Sequence, residues 1–231
     1  MTDLTRIESL DLSLGEYHWP FAYQRRAEID AHFEKLRQAK PSMWNGRVLL
    51  MNSFEITGDA LRGDCFETDF ASFVAWRDFG FPDMSIKNVF AMGTLRGSDG
   101  GYVLGVMGAH TMNAGSIYFP AGTPDPSDIR GGKVDLEASV RREVQEETGL
   151  AAAEFDIDHG WQCIPAGPMI ALFKPMRARQ TAARLCERIL DHIQCEKDPE
   201  LAGALVARGA SDIVPMMPGF IQTFLRSAQA E

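Results

Sequence analysis

With 231 residues, 45% apolar and 24% charged side chains, the chain has an ordinary globular mix and length for one enlarged domain or a core domain with an appendage. No run approaches the ~18 uninterrupted apolar residues of a spanning helix, the start shows no basic stretch leading into an apolar one, and the four cysteines (Cys65, Cys163, Cys186, Cys195) contain no Cys-x-x-Cys pair. These features argue against a membrane span, a secretory signal, a disulfide framework and a structural zinc site, and lead us to expect a reducing cytoplasm. The net charge of −9 makes the chain a poor general nucleic-acid binder, because phosphate affinity comes mainly from clustered Lys and Arg. A small phosphorylated ligand still suits it if a metal ion bridges the two negative partners.

In chain order, Leu10 to Leu14 alternates as a strand does. Pro20 opens a helical pattern carrying Phe21, Tyr23, Ile29, Phe33 and Leu36, which ends before Pro41. The turn signal Asn45-Gly46 precedes a strand over Arg47 to Ile56, and Gly58-Asp59 turns it into a partner over Leu61 to Glu67. Thr68 or Asp69 caps a short helix through Trp76. Phe79 to Asp83 marks a boundary, so we expect a mixed α/β leader domain over residues 1–84 and a second domain over 85–231.

Beyond it, Val89 to Leu95 and Tyr102 to Met107 form a hairpin across Gly97 to Gly101, and Ile117 to Phe119 is a short strand. Ala121 to Lys133, rich in Gly, Pro and Asp, reads as a loop. Asp135 to Thr148 reads as a helix stopped by Gly149. Gln162 to Phe173 is a strand, Arg179 to Cys195 a helix, and Phe220 to Leu225 starts a last one. Without regular β-α-β alternation, the class is α/β in the α+β sense.

The informative string is Arg142-Glu143-Val144-Gln145-Glu146-Glu147-Thr148-Gly149-Leu150. On a helix Glu143, Glu146 and Glu147 stand at i, i+3 and i+4, so three carboxylates share one face while Leu136, Val140 and Val144 form an apolar stripe. Like charges at that spacing cost stability. Magnesium or manganese supplies a reason to keep them, because these hard cations take carboxylate oxygens and hold substrate phosphates as well.

This string resembles the signature of the Nudix hydrolases, whose second half reads Arg-Glu, an apolar residue, any residue, Glu-Glu, any residue, Gly, apolar. Phe119-Pro120-Ala121-Gly122 is similar to the family's Phe-Pro-Gly-Gly. Five residues follow Gly122 before Asp128, where the family usually has Glu, and thirteen residues rather than seven then lead to Arg142. The difference reads as a six-residue insertion around Ile129 to Lys133 that lengthens the loop and spares the helix. The resemblance implies an α/β/α sandwich and hydrolysis of a nucleoside diphosphate linked to another moiety, with Mg²⁺ or Mn²⁺ as cofactor. It implies Glu143, Glu146, Glu147 and the carbonyl of Ala121 as metal ligands, and Arg142 as the group that orients a glutamate. Glu143 or Glu147, or else Glu196 or Glu200 from a later loop, would take the proton from the attacking water. Phe119, Gly122, Asp128 and His110 are the expected substrate-binding residues, and Asn113 and Tyr118 are further pocket candidates.

Two N-terminal motifs, Pro41-Ser42-Met43-Trp44-Asn45-Gly46 and Thr68-Asp69-Phe70-Ala71-Ser72-Phe73, resemble paired motifs of a Nudix subgroup that hydrolyses UDP-glucose and UDP-galactose. On packing alone, Trp44 and Phe73 read as core residues. The expected partner is a small nucleoside diphosphate derivative, most specifically a UDP-sugar, with ADP-ribose and related diphosphates as alternatives and neither nucleic acid nor membrane involved. A sensor that binds nucleotide without cleaving it is the competing class; the retention of all three glutamates favours an enzyme.

Overall fold

The computed structural model describes residues 4–41 and 43–228, so Ser42 of the first N-terminal motif and residues 1–3 lie outside the described residues. The chain opens with β1 (Thr5–Ile7) and β2 (Ser9–Leu14), then α1 (Pro20–Gln24) and α2 (Arg26–Ala39), the hairpin β3 (Arg47–Thr57) and β4 (Ala60–Asp69), and α3 (Phe70–Asp78). It continues through β5 (Asn88–Arg96), β6 (Tyr102–Met107), β7 (Ile117–Tyr118), β8 (Ala121–Gly122), β9 (Ile129–Arg130), β10 (Lys133–Val134) and α4 (Leu136–Thr148). β11 (Phe155–Ile157), β12 (Trp161–Ala166), β13 (Met169–Ala178), α5 (Ala182–Cys195), β14 (Leu201–Ala207) and α6 (Gly219–Ser227) complete it. None of the helices among the described residues is long and apolar enough to cross a membrane.

Among the described residues the strands form two mixed sheets, of nine and five strands. The larger runs β1-β12-β13-β5-β6-β14, with β13 and β5 parallel, and β11, β7 and β8 attached to β13, β6 and β5. Side chains alternate across β5. Gly93 faces α4, where a Cβ would stand 2.6 Å from Val144, so the missing side chain lets the helix close onto the sheet. Phe90 faces the other way and meets Phe220 of α6 edge-on, with ring centroids 5.2 Å apart. Helices therefore cover both faces, and the expected α/β/α layering in an α+β chain is what forms.

The smaller sheet runs β3-β4-β2-β10-β9. Along β3, Leu49 and Met51 join the core of the larger sheet, while Val48 and Leu50 join a second, aromatic core of Trp19, Phe33, Phe66 and Trp76 beneath α1–α3. Both faces of this strand are dry from Val48 to Met51, and an isolated bridge from Met51 to Lys87 ties it to the start of β5.

Several local readings change. The expected helix from Pro20 breaks at Arg25, whose φ of −108° and ψ of 22° are not helical, giving α1 and α2. The single strand over Gln162 to Phe173 is two, β12 and β13, folded back at Gly167 with φ of 65°. The stretch from Ala121 to Lys133 is not a plain loop, since it contributes β8, β9 and half of β10. β9 and β10 form a small hairpin through Gly131 and Gly132, both at positive φ, and β10 pairs with β2 at Lys133 and Ser13. Leu14 N–H donates to Gly132 O at 2.9 Å, and Lys133 pairs with Asp11. Strands are thus exchanged across the Phe79–Asp83 loop in both directions, because β1 likewise adds to β12.

Deleting residues 129–133 removes those contacts and uncovers the edge of β2. The expected result is a melting temperature lowered by roughly 2–10 °C in a thermal scan. An unchanged melting curve would show that the insertion is only a surface loop.

Candidate functional site

α4 carries the carboxylates, and four devices fix its position. Asp135 caps its N-terminus by accepting from Ala138 N–H at 3.0 Å, and Gly149 ends it in the left-handed region with φ of 68°. Leu136, Val140 and Val144 bury the expected stripe. The buried ammonium of Lys174 on β13 reaches Glu137 at 2.7 Å and donates to His159 O at 2.9 Å, which pins the first turn to the sheet. Breaking a buried pair leaves an uncompensated charge, so this contact sets register more than it adds stability.

Arg142 is the hub of the site. Its guanidinium reaches Asp128 at 3.0 Å, Glu143 at 2.7 Å and Glu146 at 3.5 Å. Asp128 is buried, and its other oxygen accepts from Asp125 N–H at 3.1 Å. Burial opposes the charge on Arg142, but the Asp128 hydrogen bond and the surrounding carboxylates outweigh it and raise its pKa. The insertion leaves this geometry intact because Asp135 N–H donates to Asp128 O at 2.8 Å. The additional residues leave and return at that closed stem. Asp128 therefore anchors Arg142; with both carboxylate oxygens engaged, it is not the substrate-binding residue expected.

The glutamates differ in their surroundings. Glu146 is 62% exposed, whereas Glu143 is 13% exposed and Glu147 is buried. Glu147 Oε1 accepts a long bond from Ala121 N–H at 3.4 Å, and Oε2 is buried without a partner. Burial pushes the Glu147 carboxyl up to about 9, with the charges of Glu143 and Glu200 adding to the effect. Burial raises Glu143 to about 7; Arg142 opposes this, and Glu146 and Glu200 reinforce it. Gly122 sits directly against Glu143, where any Cβ would collide with the carboxylate. Glu200 is thus close enough for its charge to reach both glutamates. Glu196 instead lies 3.4 Å from His192, whose ring also contacts Glu146 O at 3.2 Å.

Among the described residues, no three His, Cys, Asp or Glu side chains gather closely enough to form a ready-made metal cage. Arg142 draws Glu143 and Glu146 to itself, and Glu147 turns inward. The residues still fit a magnesium-type cation: such an ion keeps several waters and uses one or two carboxylates plus substrate phosphates, and Glu147 presents an unpartnered oxygen where burial penalises its charge.

Ala121 and Gly122 also line a mostly apolar cavity of about 210 Å³. Asn113 and Tyr118 line it as expected, and Asn113 donates to Tyr118 Oη at 3.1 Å. Burial raises the Tyr118 phenol to about 12, and the charges of Glu147 and Glu200 reach it. His110 is exposed in the turn after β6 and does not line this cavity. Phe119 is fully buried, packed edge-on against Tyr102, Phe173 and Phe224, so it is a core residue and not a substrate contact. Asn88, Phe90 and Phe220 also line it, with Arg77, Met112 and Met169 among others; sequence reasoning missed them because they carry no motif and meet only in the fold. A larger cleft of about 700 Å³, lined by Arg6, Arg96 and Arg177, includes none of the α4 glutamates.

The two N-terminal motifs touch each other. Asn45 Oδ1 accepts from Ala71 N–H at 2.8 Å, and Phe70 N–H donates to Gly46 O at 2.8 Å. Phe73 is buried as expected and lines the cavity, but Trp44 is 80% exposed and is not a core residue. Its ring lies over Gly46, where a Cβ would strike it.

No family model matches the chain, and neither does any curated protein sequence. Solved structures similar to it include the MutT protein from Methanosarcina mazei Go1, at 16% identity and a TM-score of 0.39, covering 62% of this chain and 94% of that one. RenU, a Nudix hydrolase from M. smegmatis, is similar at 15% identity and a TM-score of 0.42, covering 62% and 85%. At these scores the shared shape is partial.

A carboxyl whose folded pKa lies above its unfolded value binds its proton more tightly when folded, so its contribution to stability is lost as pH rises. For Glu147 the window runs from about 4.5 to about 9. In chelator, the melting temperature of Glu147→Gln minus that of the wild type should therefore grow from pH 5 to pH 9. A difference independent of pH would contradict the buried, unpartnered setting of this carboxylate.

Proposed function

We propose that this chain is a Nudix-type, metal-dependent hydrolase of a nucleoside diphosphate linked to another moiety, and that its substrate is of the UDP-sugar kind. The observation that carries the reading is the unpartnered Glu147 oxygen beside Glu143 and Gly122, on a helix bearing the Arg-Glu to Glu-Glu string. Arg142 compensates Glu143 and Glu146, but the buried Glu147 carboxylate beside them has no cationic partner among the described residues. A divalent cation with a diphosphate answers that lack. The junction of the two N-terminal motifs beside the cavity supports the UDP-sugar assignment.

Glu143 and Glu147, with Glu146 and the Ala121 carbonyl, are the groups that would hold Mg²⁺ or Mn²⁺. When bound, the ion supplies charge neutralisation for the diphosphate and a more acidic water. Arg142 keeps Glu143 and Glu146 oriented through charge-assisted bonds and is itself fixed by Asp128. Gly122 leaves the carboxylate of Glu143 uncovered. Water attacks one phosphorus, the bridging phosphorus–oxygen bond breaks, and the leaving phosphate departs with that oxygen. We assign the attacking water's proton to Glu200, an exposed carboxylate within charge reach of Glu143 and Glu147. Glu196 is occupied by His192.

A screen of nucleoside diphosphate derivatives with Mg²⁺ and Mn²⁺, with products identified by mass, tests the reading. UDP-glucose should yield UMP and glucose 1-phosphate, and only with the ion present. Binding without product would instead make the chain a nucleotide sensor. Glu200→Gln should lower kcat by about 10²–10⁴-fold, while Glu196→Gln turns over near the wild-type rate. Equal losses in the two variants would remove Glu200 from its role.

A further inference from the structure

The cavity beside Ala121 and Gly122 is built by both ends of the chain. Phe70 and Phe73 reach it from α3, Phe90 from β5, Tyr118 from β7 and Phe220 from α6. Five aromatic rings thus stand in its lining, and aromatic rings stack on any base with useful energy. At about 210 Å³ it falls below the roughly 300–1,000 Å³ of clefts that enclose a whole drug-sized ligand. One ring of a larger molecule is what it suits.

One polar residue in this lining is out of place. Asn88 is only 3% exposed, its Oδ1 is buried without a partner, and its Nδ2 has only a 3.8 Å contact with Met169 Sδ. An unmade bond at a buried amide costs about 1–3 kcal/mol, so a carboxamide kept there calls for a partner that the chain does not provide. A carboxamide pairs two-pronged with the edge of a base that offers a donor beside an acceptor. The cavity is also continuous with the carboxylates: Ala121 contacts Glu147, Gly122 lies against Glu143, and the charge of Glu147 reaches the Tyr118 hydroxyl.

We propose that this cavity is a nucleobase subsite, in which the base lies among the aromatic rings of α3, β5 and α6 and Asn88 reads its hydrogen-bonding edge. The inference rests on the proposed reaction for the placement of the diphosphate at α4. It adds that the N-terminal region takes part in substrate recognition through Phe70 and Phe73.

The test is binding of UMP, CMP, AMP and GMP by calorimetry in chelator, to the wild type and to Asn88→Leu and Asn88→Asp of the full chain, each with a thermal melt. The wild type should bind with a clear ranking of the four. Asn88→Leu should weaken the best of them about tenfold. Asn88→Asp, which only accepts, should shift the ranking away from UMP and toward the bases with an exocyclic amino group, GMP above all because its N1–H and N2–H₂ donors stand side by side. Folded variants that keep the wild-type affinities and ranking would overturn the subsite, and so would a wild type that binds none of the four at millimolar concentration. Because chelator removes the metal-dependent step, nucleotide binding without turnover under Mg²⁺ would strike the proposed reaction and leave the subsite standing.

Discussion

The site depends on one guanidinium. Arg142 holds together a buried aspartate from the preceding loop and two glutamates of α4, one half-dry and one exposed, which without it would repel each other. A planar fork of donors fixes several acceptors in set directions, which the freely rotating donors of an ammonium at the same position would not do. The arginine does not complete the neutralisation, however: Glu147 lies beyond its reach, and Glu143 is still raised despite it. The result is a framework rigid on one side and electrostatically unfinished on the other. That imbalance is the form expected of a place built to receive further positive charge.

The helix bearing this cluster could be read from residues because it is specified locally: an aspartate cap, a three-residue apolar stripe and a terminal glycine all point the same way. The hairpin β5–β6 and the α3 cap at Asp69 are legible for the same reason. What is not legible is set by distant partners. β1 and β14 exist because β12 and β6 offer them edges, and neither stretch has a turn or period of its own to announce it. The insertion between Asp128 and Arg142 has loop composition, yet its two glycines make a hairpin that the leader sheet pulls into register.

Side-chain roles divide along the same line. Arg142 and the glutamates carry a motif. Phe119 sits inside the motif's approach, yet its size and apolarity send it into the core among Tyr102, Phe173 and Phe224. Trp44 is the reverse case, a large ring that a composition rule would bury but that lies on the surface over Gly46. Asn88 gave no signal at all, since a lone asparagine before an apolar strand is unremarkable until its neighbours are known.

The exchange of strands across the chain has a consequence for biosynthesis. β2 leaves the ribosome long before β10, and β1 before β12, so the two edges they fill stay open while roughly 120–150 further residues are made. At about 5–20 residues per second this interval is on the order of 10–30 s. An open edge is a template for pairing with another chain. The nascent N-terminal region is thus the stage at which this protein most needs shielding, and the polar residues of β1 and β2, with the three-residue length of β1, limit that exposure before the later partners arrive.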